Sequence, residues 1–135
     1  MIIPFCAPSG VGKTTFILQL STLLLAKRFS LAIIKSTHHR TLKDVSLNTD
    51  SNRYKRLHIP FLISSSPTEI HTFAHDQQVD FILVEGGRSL KLPSVILKRG
   101  LLDPDWLPPQ NILRTLDLEE SNVLFETQAW LISQL

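Results

Sequence analysis

Apolar residues along the chain alternate between two patterns, short unbroken runs and longer segments with helical spacing. "IIPFCA", "LAIIK" (Leu31–Lys35), "FLISS" (Phe61–Ser65), "DFILVE" (Asp80–Glu85) and "SVILK" (Ser94–Lys98) are continuous apolar runs. Such runs mark strands buried on both faces of a sheet. Between them, Phe16, Ile17, Leu20, Leu23 and Leu24 recur at helical spacing and predict a helix from about Lys13 to Arg28. "SPTEIHTFAHD" opens with Ser66 as cap, Pro67 at the first helical position and Glu69 three residues after the cap, a helix start. "EESNVLFETQAWLISQL" predicts a closing helix with Val123, Leu124, Ala129, Trp130 and Leu131 inward. Two stretches fit neither pattern. "KSTHHRTLKDVSLNTDSNR" is long and polar, and "RGLLDPDWLPPQN" is a proline-rich connection expected to cross the surface.

Strands alternating with helices predict an α/β fold with a mainly parallel sheet and right-handed crossovers. At 135 residues, 43% apolar and 19% charged, the expectation is one globular domain over residues 1–135. No apolar run is long enough to span a bilayer, and the start lacks the basic region of a signal peptide, so a cytoplasmic protein without membrane attachment is expected. The single cysteine, Cys6, excludes an intrachain disulfide and falls in a predicted strand as a small core side chain. A net charge of +2 gives no reason to expect a nucleic-acid partner. Its distribution is uneven. Lys35, Arg40, Lys43, Arg53, Lys55 and Arg56 face only Asp44 and Asp50 in the same stretch, whereas from Leu101 onward there are six acids and one base, Arg114. The basic stretch suits an anionic ligand or a solvated charged face.

Candidate chemistry begins after the first predicted strand. "APSGVGKT" has the form G-x-x-x-x-G-K-[ST] with Ala7 at its first position, and it lies between a strand and a helix, the context a phosphate-binding loop requires. Gly10 and Gly12 permit a turn that aims backbone N–H groups at phosphate oxygens, and the helix start adds its positive dipole end. Lys13 supplies a charge for the β- and γ-phosphates, and the Thr14 hydroxyl is the expected Mg²⁺ ligand. The candidate nucleotide-binding set is therefore Pro8, Ser9, Gly10, Val11, Gly12, Lys13, Thr14 and Thr15. "DFILVEGG" adds Glu85 at the end of another buried strand, where it could serve Mg²⁺ or orient an attacking water, and Gly86 beside it allows close backbone approach to phosphate. Lys13 and Glu85 are the candidate catalytic pair, and Thr14 and Glu85 the candidate metal ligands. The bland alternatives are a fortuitous glycine loop and an ordinary strand-end carboxylate.

"APSGVGKTTF", "AIIKSTHH", "DSNRY" and "FILVEGG", in this order and spacing, resemble the molybdopterin-guanine dinucleotide biosynthesis protein B (MobB) family from about Ile2 to Arg99. The resemblance implies a P-loop NTPase-like three-layer α/β sandwich that binds GTP with Mg²⁺ and hydrolyses it weakly, usually as a homodimer. It further implies an accessory role in attaching GMP to molybdopterin, with molybdopterin and the guanylyltransferase MobA as partners. Position by position, it matches His38 and His39 to a retained histidine pair and Asp50, Ser51 and Arg53 to an Asp-Ser-x-Arg motif, adding His38, His39, Asp50 and Arg53 to the binding set. Three stretches depart from the pattern. Ser36 stands where a histidine is common, "GGRSLKLP" replaces a Gly-aromatic-Lys continuation, and "RLHIPF" lacks an Ala-Gly-Ala. By their residue types alone, His38 and His39 could be hydrogen-bond donors to a phosphate or pterin, metal ligands if the chain turns there, or surface residues. Asn-Lys-x-Asp, the guanine-reading motif, is absent, so GTP rests on the resemblance. Rival readings are a small P-loop kinase, a non-enzymatic adapter whose nucleotide stabilises a dimer and, more distantly, a metallochaperone GTPase.

Overall fold

Successive side chains of a strand point to opposite faces of a sheet, and here the two faces bury two separate apolar clusters. Ile3, Phe5, Leu31, Ile33, Phe81, Leu83, Val95 and Leu97 belong to one, and Ala32, Ile34, Ile82 and Val84 to the other. The computed structural model describes residues 1–37 and 49–135. Six strands form one sheet in the order β3-β2-β4-β1-β5-β6, and every pairing is parallel. They are β1 (Ile2–Cys6), β2 (Leu31–Ser36), β3 (Phe61–Ser64), β4 (Phe81–Glu85), β5 (Ser94–Lys98) and β6 (Ile112–Asp117). The helices are α1 (Lys13–Ala26), α2 (Thr49–Lys55), α3 (Pro67–Asp76) and α4 (Val123–Ser133), with a 3₁₀ turn at Arg88–Leu90.

The first face is covered by α1, through Phe16, Ile17, Leu20 and Leu24, by Tyr54 of α2, and by Val123 and Leu131 of α4. The second is covered by Ile70 of α3 and by Leu90 of the 3₁₀ turn. Helices on both faces of a parallel sheet make the expected three layers. Serine 66 caps α3 as its sequence predicts, its side chain accepting from the Glu69 N–H at 3.2 Å, with Pro67 next. Cys6 is buried, and burial pushes its thiol pKa up, outweighing the hydrogen bond with Ser94 and the charges of Lys13 and Arg88.

Two elements were not legible as such. The short helix α2 lies inside the polar stretch, and β6 is an edge strand whose residues Ile112–Thr115 are exposed. One expectation is corrected. Ala129 is exposed, and the inward positions of α4 are Val123, Thr127, Gln128 and Leu131, with Leu124 and Trp130 half-buried. Polar groups can turn inward there because each finds an acceptor: Thr127 Oγ1 donates to the Val123 carbonyl at 2.7 Å and Gln128 Nε2 to the Leu23 carbonyl at 3.4 Å.

Candidate functional site

In this strand order β1 lies between β4 and β5, and the carboxyl ends of the central strands meet at one edge of the sheet. Ligands of open α/β sheets bind at that edge. The segment after β1 turns there into α1. Gly12 stands at the helix cap with φ +100°, no side chain caps the helix, and its first turn carries no acid. The first N–H groups of such a helix have no intrahelical acceptors, which makes its start an anion site. A Cβ at Gly12 would also lie 3.2 Å from Arg99 Nη2. Ala7, at the first motif position, is not among the described residues with positive φ, so its methyl group is tolerated.

Glutamate 85 ends β4, in register with Phe5 of β1 on one side and Lys35 of β2 on the other. It faces the same side of the sheet as Leu83, beyond the last apolar layer, and is only 4% exposed. Three side chains converge on it. The Thr14 hydroxyl donates to its Oε1, Tyr54 Oη donates to the same oxygen at 3.0 Å, and Lys35 Nζ lies 3.4 Å from its Oε2. Lys35 is itself 9% exposed, and Tyr54 is fully buried with its ring 5.4 Å from that of Phe61. A carboxylate withdrawn from water to this degree needs such partners. At the next residue, Gly86 has φ +88° and its N–H donates to the Phe5 carbonyl at 2.9 Å. An added Cβ at Gly86 would lie 3.2 Å from the Ser36 carbonyl oxygen, so the chain passes too close to β2 for a side chain.

A cavity of about 790 Å³ opens over this arrangement, lined by the loop from Ala7 to Thr15 with Lys35, Ser36, Thr37, Arg53 and Glu85. The predicted loop residues, Arg53 and Glu85 are thus brought together. Arg53 Nη2 donates to Thr15 Oγ1 at 3.3 Å, tying α2 to the helix start. Gly86 adjoins Glu85 and lines a neighbouring pocket. Lys55 is exposed and does not line the cavity. His38, His39, Arg40 and Lys43 lie outside the described residues, and Asp50 is placed in the first turn of α2. Three participants had been missed. Lys35 and Tyr54 hold Glu85, and Arg99 Nε donates to the Val11 carbonyl at 3.1 Å from beyond β5. Opposite charges at the ends of two buried runs, "LAIIK" and "FILVE", were a signal for the first of these.

The donor set offered to a cation is one hydroxyl and one carboxylate, hard oxygens of the kind Mg²⁺ takes alongside phosphate and water. Among the described residues no group of three His, Cys, Asp or Glu side chains gathers as a soft or borderline metal would require. No helix among them is long and apolar enough to cross a membrane.

Sheet order, loop and strand-end acid together define a P-loop nucleoside-triphosphatase fold. The solved structure of FlhF complexed with GMPPNP and Mg²⁺ is similar to this chain with a TM-score of 0.57 at 15% identity, over 96% of this chain and 60% of that one. This chain thus spans less than two thirds of the FlhF chain it matches. The model of the family "Molybdopterin guanine dinucleotide synthesis protein B" matches residues 2–113, and the chain belongs to that family. No curated protein matches it in sequence. Family and fold together support a nucleotide-binding role in molybdenum-cofactor biosynthesis.

Proposed function

We propose that the protein binds GTP with Mg²⁺, hydrolyses it slowly, and acts as an accessory in attaching GMP to molybdopterin, in company with the guanylyltransferase MobA. The observation that carries this reading is the meeting of Thr14 with Glu85 inside the phosphate cavity, because the hydroxyl and the acid of a nucleotide–metal site lie 71 residues apart in the chain. In this reading the backbone from Pro8 to Thr15 cradles the phosphates and Lys13 binds the β/γ end. Thr14 and Glu85 would hold the metal, and Gly86 would let the backbone lie close to the terminal phosphate. Bound Mg²⁺ would offset charge on the phosphate oxygens and polarise the bond to the leaving group. Glu85 accepts hydrogen bonds from two hydroxyls and faces an ammonium, so its orientation is set before any ligand arrives. A carboxylate so held is placed to orient an attacking water.

The nucleoside leaves the loop on the side away from Lys13. A pocket of about 340 Å³ there is bordered by Gly12, Thr15, Gln19, Arg99, Glu119 and Phe125, among others. Guanine preference is assigned to that pocket, and His38, His39, Asp50 and Arg53 are taken as ligand-binding residues on the family resemblance. A cytoplasmic homodimer completes the reading, supported by exposed apolar side chains in the last third: Leu101, Leu107, Ile112, Leu113 and Phe125. Trp106 and Trp130 contribute less to such an interface, since Arg88 and Arg114 lie over their rings at 5.2 and 4.9 Å.

Calorimetric titration with GTP, ATP and molybdopterin, each with Mg²⁺, tests the assignment. GTP is expected to bind more tightly than ATP. Equal affinities would remove the guanine reading, and no binding of either would remove the nucleotide.

A further inference from the structure

Two pockets flank the phosphate cavity, and the lysine tells them apart. In a phosphate loop the lysine reaches the β- and γ-phosphates. Lys13 lines the cavity and one of the flanking pockets, whereas Gly12 and Thr15 line the other. The pocket shared with Lys13 therefore adjoins the terminal-phosphate end. Its remaining chemistry comes from three further segments: Ser36 at the end of β2, Arg88 and Ser89 of the 3₁₀ turn after Glu85, and Trp106 of the β5–β6 connection. Two cations and two hydroxyls line it, and no carboxylate does among the described residues. The Arg88 guanidinium lies 5.2 Å from the centre of the Trp106 ring, which joins a cation and a planar apolar surface in one wall. Arg88 and Ser89 fall in "GGRSLKLP", which departs from the family pattern, and Trp106 in the proline-rich "RGLLDPDWLPPQN".

We propose that this pocket, between Lys13, Arg88 and Trp106, binds a second ligand, an organic phosphomonoester, beside the terminal phosphate of the nucleotide. Size favours a molecule over a lone attacking water. The volume is about 360 Å³, against about 30 Å³ for one water, and it falls in the range of small-molecule sites. Charge favours an anion: with Lys13 engaged by the nucleotide, Arg88 adds a further cation to a lining that holds no carboxylate among the described residues. The same cations offset the repulsion between the ligand's phosphate and that of the nucleotide. The part of Trp106 that lines the pocket beside Arg88 favours an ester with an apolar body over inorganic phosphate. The inference rests on the nucleotide reading for the position of the terminal phosphate.

The test is titration of phenyl phosphate into protein already saturated with GMPPNP and Mg²⁺, with inorganic phosphate and phenol as parallel probes. Phenyl phosphate is expected to bind saturably to the loaded protein, more tightly than inorganic phosphate, with phenol not binding. Arg88 is exposed, so Arg88→Gln should fold normally; it is expected to weaken phenyl phosphate by about tenfold while leaving GMPPNP affinity unchanged. Trp106→Ala is expected to shrink the preference for phenyl phosphate over inorganic phosphate. Absence of saturable binding to the loaded protein would overturn the proposal, as would binding confined to nucleotide-free protein, where the probe has entered the phosphate loop itself. So would an Arg88→Gln protein that loses GMPPNP affinity but keeps GDP affinity, because Arg88 would then be a ligand of the terminal phosphate. Failure of the wild-type protein to bind GMPPNP would overturn the nucleotide reading first and this inference with it.

Discussion

Glu85 and Asp117 occupy equivalent places in the fold. Each is the last residue of a parallel strand, β4 at the centre of the sheet and β6 at its edge. Their surroundings could hardly differ more. Glu85 is buried among side chains, a hydroxyl from each of α1 and α2 and the ammonium of Lys35. Asp117 is met by backbone, accepting the Gly100 N–H at 3.1 Å and the Glu119 N–H at 3.0 Å in the turns that follow β5 and β6. Those two N–H bonds lower the Asp117 pKa, with the Glu119 bond the larger cause. One acid is thus held by groups that could be exchanged for a ligand's, and the other staples two loops together. Strand-end position alone gives no role to an acid; the partners do.

The comparison breaks first at Glu85. Glu85→Gln keeps the shape but removes the charge that Lys35 faces in a nearly dry site, and a loss of about 3 kcal/mol is expected, the low end of the cost of disrupting a buried pair. Denaturant unfolding measures this, and a shift below half that size would mean the site is wetter than its burial indicates. In the protein that remains folded, hydrolysis should slow more than nucleotide binding weakens; a collapse of affinity with normal turnover per bound nucleotide would make Glu85 a binding residue only.

A smaller effect is expected one step out. Tyr54→Phe deletes one hydrogen bond to a charged acceptor and leaves the ring packing intact, costing about 1.5 kcal/mol. Turnover should fall with little change in nucleotide affinity, because Tyr54 positions Glu85 and does not line the phosphate cavity. Equal losses in both would show that the hydroxyl supports the nucleotide site as a whole and does not act through Glu85 on hydrolysis alone.

The smallest effect belongs to Asp117. Because its carboxyl pKa is lowered in the fold, its contribution is fully present above the usual value of 3.8 and is lost as the pH falls through the lowered one. Asp117→Asn should therefore melt somewhat below the wild type at pH 7, and the gap should close in acid below pH 3.8. A gap that persists in acid would assign the effect to altered backbone geometry.

How far these two acids could be read from sequence follows from the same contrast. Glu85 ends an unbroken apolar run and follows a phosphate-loop motif, so periodicity and motif both point to it. Asp117 ends "ILRTLD", an edge strand whose first four residues are exposed, where burial imposes no apolar pattern and the strand goes unseen. Helix α2 was hidden for a related reason. Among its residues of described burial, 51–55, it buries Ser51 and Tyr54, too few for a 3.6-residue period to show. Without that helix there was no reason to aim Tyr54 at Glu85. Arg99 was invisible because its contact with the loop joins residues 88 positions apart with no motif between them.

The central claim is that the loop after β1 binds a nucleoside triphosphate through Lys13. Its most direct test is calorimetry of GMPPNP with Mg²⁺ on the wild type and on Lys13→Ala, with circular dichroism to verify that both are folded. Loss of one charge-assisted contact of about 1.5–3 kcal/mol predicts binding roughly ten- to a hundredfold weaker in the variant with the fold unchanged. Equal affinity in the two proteins would contradict it.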